Sequence, residues 1–335
     1  MPGFTTHYIF GLKSYRHLDS CRLKYLISRY RGLYQLGLQG PDMFFYYIPG
    51  LRHRGFNNVG STMHSYRTGD FFETFIRHIG STDSNTRQGQ AIAYLAGLLS
   101  HYAADSICHP YIYALSDHCV EHPNAASYGR HAELENDIDA ILLWHYKKKK
   151  PSEFSQTATI LLNGQEIQFI SRFLSECINS VYYPVTVHST FRVTPAMVHR
   201  SIIAMKIGTR TLSDSKGHKR LGLAVLESLV MRRPVASAKM VTDGVVDYHG
   251  CLNTAHAPWI NPWDPSLIST ESFPDLFGKT IEKTDGIFRM LNHSIECPIS
   301  LQRQNLEELL TAIGSNSYHS GLPTGHEMVE TKLPV

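Results

Sequence analysis

Three metal-favouring side chains, His101, Asp105 and His109, stand at four-residue intervals in the segment SHYAADSICHP. At about 3.6 residues per turn they share one helix face. The residues around them are mostly apolar, and a buried charge is costly unless it is paired or bound to metal. A plain stripe of hydrogen-bonded polar side chains would satisfy the same spacing. A second pair, His131 and Glu135, repeats the interval in GRHAELENDID. Imidazole with carboxylate suits a cation such as Zn2+. It equally suits a salt-linked helix surface, because Glu133, Asp137 and Asp139 are close by. Asp42 follows a Gly-Pro turn in QGPDMFFYY, where an Asp ordinarily caps the next element. His7 follows Thr5-Thr6, and His64 sits in GSTMHSY. Taken singly, each of these two fits a surface or core histidine.

The elements that must carry these residues read as helices. The central one runs from Thr86 to about Leu115 and is apolar on most sides, as expected of a buried helix. Tyr15 to Leu36 has helical periodicity. Asp70 to Ile79 follows with Asp70 as N-cap, and Tyr128 to Tyr146 ends at the run Lys147 to Lys150 and Pro151. Glu166 to Tyr183, Thr194 to about Leu212, Lys219 to Val230, Phe273 to Leu291 and Leu301 to Ile313 are further helices. Residues 151 to 165 contain a Leu-Asn-Gly-Gln turn and could form a short hairpin. Residues 243 to 271 are rich in Gly, Pro, Asn and Trp and read as a long structured loop. Its Trp259 and Trp263 could line a substrate groove or pack as a structural lid. The expectation is an all-α fold, a single multi-helix bundle over residues 1–315, followed by a flexible polar tail over 316–335.

Composition sets wider bounds. The 335 residues are 42% hydrophobic and 18% charged, enough for a sizeable core. A formal net charge of +3 gives no basic stripe by itself, which counts against long nucleic acids as substrate. Six scattered cysteines without a C-x-x-C pair suggest free thiols in a reducing compartment. The start, MPGFTTHYIFGLKSYRH, has no signal-peptide pattern, and no apolar run reaches the ~18 residues of a membrane helix. A soluble, cytoplasmic protein without an integral membrane segment is expected. Histidine is unusually frequent, at 19 residues.

In the order His7, Asp42, His64, His101, Asp105, His109, His131, Glu135 the chain resembles the zinc-dependent phospholipase C family, which is related to the fungal single-strand-specific nucleases. MPGFTTHYIFG, LGLQGPDMFFYY, YLAGLLSHYAADSICHPY and RHAELENDID look like motif blocks of its compact bacterial members. LNTAHAPWINPW and ESFPDLF are similar to later blocks, so the likeness spans about residues 1 to 290.

The resemblance implies a zinc hydrolase of phosphate esters with two or three ions. One ion would take Asp42, His64, His101 and Asp105. A second would take His109, His131 and Glu135, and a third His7 with Asp105 as a bridge. Asp42 would also act as the catalytic base toward a metal-activated hydroxide that attacks phosphorus. The chain departs from the secreted members in three places. Their N-terminal tryptophan is missing, the interval from Asp105 to His109 is shorter, and Met43 stands where an aromatic helps cage choline. Phe44, Phe45, Tyr46 and Tyr47 could supply an aromatic wall instead, or pack in the core. Arg52, His53 and Arg54 lie between two ligands and, with Tyr46, are candidates for substrate contact. A phospholipid head group is the leading substrate. A nuclease or nucleotidase on the same site, and a non-enzymatic metal-binding protein, are the alternatives.

Overall fold

A computed structural model describes residues 3–47, 58–117, 125–185, 191–212, 214–230, 237, 240–245, 247–296, 302–325 and 328. The chain is all-α. Among the described residues its α-helices are α1 (Phe4–His17), α2 (Arg22–Arg29), α3 (Arg31–Gly37), α4 (Val59–Ser65), α5 (Thr68–Gly80), α6 (Asn85–Ser116), α7 (Ala125–Lys147), α8 (Gly164–Val181), α9 (Pro195–Thr211), α10 (His218–Val230), α11 (Tyr248–Leu252), α12 (Phe273–Glu296) and α13 (Gln302–Ile313). None of these is long and apolar enough to cross a membrane.

Helix α6 is the axis of the molecule. Ser84 starts it, its side chain accepting from the Arg87 N–H, and Asp117 ends it in a left-handed conformation with φ of 48°. Between them the helix is buried on nearly every side, because it is Ala-, Leu- and Tyr-rich throughout. Its first half packs with Phe71, Phe72 and Phe75 of α5 and Leu174 of α8 in one apolar cluster. Its second half packs with Phe10 of α1 and Phe273 and Phe277 of α12 in another. The metal-favouring stripe lies at the junction of the two. Helix α3 crosses α6 closely, since a Cβ on Gly37 would stand 2.2 Å from the Tyr94 carbonyl.

Several expectations change. The periodic stretch from Tyr15 to Leu36 is divided among the end of α1, α2 and α3, with breaks at Leu18–Cys21 and Tyr30. An apolar stripe continues across such breaks because consecutive short helices still face one core. Asp70 is not an N-cap. Helix α5 begins earlier, with Arg67 at its cap position, and Asp70 pairs with Arg67 on the surface at 2.7 Å. Residues 151–165 form two short 3-10 turns, Pro151–Glu153 and Gln156–Thr159, rather than a hairpin. The hairpin lies in the stretch read as loop: β1 (Trp259–Asn261) pairs antiparallel with β2 (Asp264–Ser269) after the short helix α11. Trp259 packs edge-on against Tyr111 in the core, so that tryptophan is structural.

Residues 316–325 do not trail free. Tyr318 is 1% exposed, and its N–H donates to the His64 carbonyl at 3.0 Å. The Asn316 N–H donates to the Tyr102 hydroxyl. This polar, Gly-bearing composition reads as a tail in sequence. It folds down because its backbone groups find partners on α4 and α6.

Candidate metal centre

Several elements bring side chains together beside α6. Helix α6 supplies His101, Asp105 and His109, all fully buried on one face. The His101 Nδ1–H donates to the Leu38 carbonyl at 3.1 Å, and the His109 Nδ1–H donates to the Tyr318 carbonyl at 2.6 Å. Helix α4 supplies His64, whose Nδ1–H donates to the Gly60 carbonyl at 2.7 Å. A carbonyl only accepts, so Nδ1 carries a proton in all three rings and Nε2 is the nitrogen left to bind a cation.

Asp42 comes from a short 3-10 turn, Gly40–Tyr46. Gly40 at its start has φ of 47°, and a Cβ there would meet the His101 ring at 2.4 Å. Glycine is therefore required for Asp42 and His101 to meet. His7 comes from the first turns of α1. That helix has no local side-chain cap, because Gly3 precedes it. The Asp139 carboxylate of α7 caps it instead, accepting from the N–H groups of Thr5 (3.0 Å) and Thr6 (2.8 Å) and from the Thr6 hydroxyl (2.6 Å). Burial pushes Asp139 up to about 6 against these hydrogen bonds.

The acceptors converge. His7 Nε2 lies 3.2 Å from Asp105 Oδ1, and its ring stacks on His101 at 4.0 Å. Asp105 Oδ2 is 3.2 Å from His101 Nε2 and 3.4 Å from His64 Nε2. Asp42 Oδ1 is 3.2 Å from His64 Nε2 and 3.8 Å from His101 Nε2. Ligand atoms of His7, His101 and Asp105, and again of Asp42, His64 and His101, lie within 4.8 Å of one another.

Nearly all these atoms are buried without a hydrogen-bond partner: His7 Nε2, His64 Nε2, His101 Nε2, His109 Nε2, Asp42 Oδ1 and both Asp105 oxygens. Unsatisfied buried polar atoms each cost about 1–3 kcal/mol, and a cluster of them is what a bound cation would satisfy. Imidazole nitrogens and carboxylate oxygens are the donor set zinc prefers, and the residues fit that ion.

Electrostatics agree with that assignment. Burial would raise Asp105, but His101, His109 and His7 around it hold its carboxyl well below the usual range. Burial keeps His109 and His7 neutral, as ligands must be. Burial also opposes protonation of His64. The Asp105 and Asp42 carboxylates beside it prevail and carry it up to about 9.

The pair His131 and Glu135 stands at the edge. His131 Nε2 is 2.9 Å from Glu135 Oε1. The Ser116 hydroxyl donates to the Ile112 carbonyl, so it accepts from His131 Nδ1 at 3.2 Å and leaves Nε2 toward the carboxylate. Among the described residues, His109, His131 and Glu135 do not form a third group within that 4.8 Å spacing.

A cavity of about 400 Å³ opens on the cluster, lined among others by Asp42, Phe45, Tyr46, Tyr128, Glu135 and His319. The aromatic run divides: Met43 and Phe44 are core, while Phe45 and Tyr46 face the cavity. Arg52, His53 and Arg54 lie outside the described residues. Sequence reasoning missed His319. Its ring stacks on His64 (5.4 Å) and His109 (5.8 Å), and its Nδ1 is 2.9 Å from the Tyr113 hydroxyl. No local spacing marks it, since it reaches the site only through the fold of the C-terminal segment. In sequence, Asp139 likewise reads only as a neighbouring acid.

A family model described as zinc dependent phospholipase C matches residues 6–183. No curated protein and no solved structure gives a match.

Proposed function

The chain belongs to the zinc-dependent phospholipase C family, and from that premise we propose that it hydrolyses phosphodiesters at the His–Asp cluster, with phospholipid head groups as the leading substrate class. The observation that carries this reading is the convergence of unsatisfied His and Asp atoms beside a cavity that Asp42 also lines.

Asp42, His64, His101 and Asp105 would hold one ion, and His7 with the second Asp105 oxygen another. His109, His131 and Glu135 would hold a third. Bound zinc supplies Lewis-acid polarisation of a phosphate oxygen and lowers the pKa of water toward ~7.

The remaining work falls to the protein. Asp42 belongs to both the cluster and the cavity lining, so it can accept a proton from an attacking water. The carbonyls of Leu38, Gly60 and Tyr318 keep His101, His64 and His109 in the ligand tautomer. Burial raises the Tyr46 phenol, which stays protonated and able to donate to a phosphate oxygen. Phe45, Tyr46 and Tyr128 give the cavity π-faces that suit a quaternary ammonium, in place of an aromatic at Met43.

Elemental analysis of the purified chain tests the centre, and two or three zinc ions per chain are expected. Turnover of a short-chain phosphatidylcholine above single-stranded DNA supports the substrate class, and the reverse order favours the nuclease alternative. No turnover of any phosphodiester by zinc-loaded protein leaves a metal-binding role. Asp42→Asn with full metal content and full activity would remove Asp42 as base.

A further inference from the structure

Helix α10 differs from the other helices. Its sequence, HKRLGLAVLESLV, is apolar after a basic start, yet among the described residues it makes only slight contact with other elements. Leu221 is 68% exposed and Val225 55%. Four residues apart, they form one apolar strip on the outside of the protein.

The position of α10 gives the strip a meaning. Leu212 and Val241 both line the cavity above the metal centre. The Val241 N–H donates to the Leu212 carbonyl at 3.0 Å, and the Asp214 N–H donates to the Val241 carbonyl at 2.9 Å. These bonds join the chain on either side of α10 beside the cavity. Helix α9 leads into Leu212. Met205 and Thr209 face the cavity, while Ile203 and Ile207 on the other side are exposed at 39% and 60%.

The charge around these aliphatic residues is mostly positive. Arg200, Arg210, Lys216 and Lys219 are exposed and Lys206 half-buried. Asp214, the one carboxylate between residues 191 and 225, is buried, while Glu227 lies further along α10 and the Asp243 N–H donates to the Ser215 carbonyl beside Lys216. The net charge of +3 for the whole chain conceals this concentration.

We propose that α10 and the outer side of α9 form a docking surface for an anionic lipid bilayer, which brings the cavity rim to the membrane surface. This rests on the phospholipid reading of the cavity for its purpose, though not for its geometry. A bilayer interface offers aliphatic side chains an apolar layer and offers lysine and arginine anionic head groups directly above it. A nucleic acid would satisfy the cations but give four exposed aliphatic side chains no apolar layer to enter. A second copy docked two-fold on the same surface would set like charges against one another.

The test is co-sedimentation of the zinc-loaded full chain with vesicles of phosphatidylcholine alone or mixed with phosphatidylserine. The same preparations are assayed on a monomeric short-chain phospholipid. Binding to the anionic vesicles, weakened by about 0.5 M salt, is expected. Leu221→Asp with Val225→Asp, and separately Lys216→Glu with Lys219→Glu, should each reduce that binding at least about tenfold. Both should leave circular dichroism and turnover of the monomeric lipid unchanged. Turnover of monomeric lipid without vesicle binding overturns the docking surface and leaves the phospholipid reading standing. Vesicle binding that is lost in both variants, without turnover of any phospholipid, supports the surface and refutes the substrate. Retained binding in both variants, preference for single-stranded DNA, or a dimer that the variants dissociate each overturns the proposal.

Discussion

The His109 Nδ1–H donates to the main-chain carbonyl of Tyr318 at 2.6 Å, so a ring on the central helix is oriented by a segment 209 residues further along the chain. Partners of this kind set the tautomer and basicity of a metal-binding imidazole. The C-terminal segment thus lies against the candidate centre, although the family match ends at residue 183.

Gly321 lets that segment lie against α6. It has φ of 67°, and a Cβ would stand 2.3 Å from the Ser106 carbonyl. Pro110 lacks the N–H that would otherwise bond this carbonyl, so α6 is open there. Gly321→Ala should lift the segment, cost about 1–3 kcal/mol of stability, and weaken zinc about 10–100-fold. Chemical denaturation and competition with a chromogenic chelator measure the two effects. Unchanged zinc affinity would separate Tyr318 from the centre.

Asp105 faces His7, His64 and His101 with its two oxygens. Asp105→Asn should reduce the zinc bound per chain by at least one ion and lower phosphodiesterase activity by about 100-fold or more. His7→Ala should remove one ion and spare the Asp42–His64–His101 group. Mass spectrometry under native conditions counts the ions in each variant.

Removal of metal should destabilise the protein. Zinc at about 1,000 times its dissociation constant adds about 4 kcal/mol to the folded state. Dialysis against a chelator should therefore lower the melting temperature, and added zinc should restore it. Equal melting temperatures with and without zinc would contradict a site in the folded core.

Asp139 predicts a pH dependence. Its folded value of about 6 lies above the ordinary 3.8, so between these pH values the folded state binds the extra proton. Stability then falls as pH rises through that window, by about 1.4 kcal/mol per pH unit. Asp139→Asn should remove this slope, while its lost carboxylate acceptor costs a pH-independent increment. Urea denaturation of the metal-free proteins from pH 4 to about pH 7 compares the slopes, and parallel curves would refute the assignment.

The sequence by itself determined what local spacing can encode. The all-helical class, the long buried α6 and the stripe of His101, Asp105 and His109 follow from apolar periodicity and four-residue intervals, which map directly onto one helix face. His131 beside Glu135 follows in the same way. The boundaries of α1 to α3 and the β1–β2 hairpin did not, because short elements facing a common core share one apolar pattern. Only the tertiary structure decided which histidines converge. His7, Asp42 and His64 meet α6 through Asp139 capping a helix 133 residues away in sequence and through Gly40 making room for the His101 ring. His319 arrives on a segment whose polar composition reads as a tail, because its anchors are main-chain hydrogen bonds that no residue pattern records.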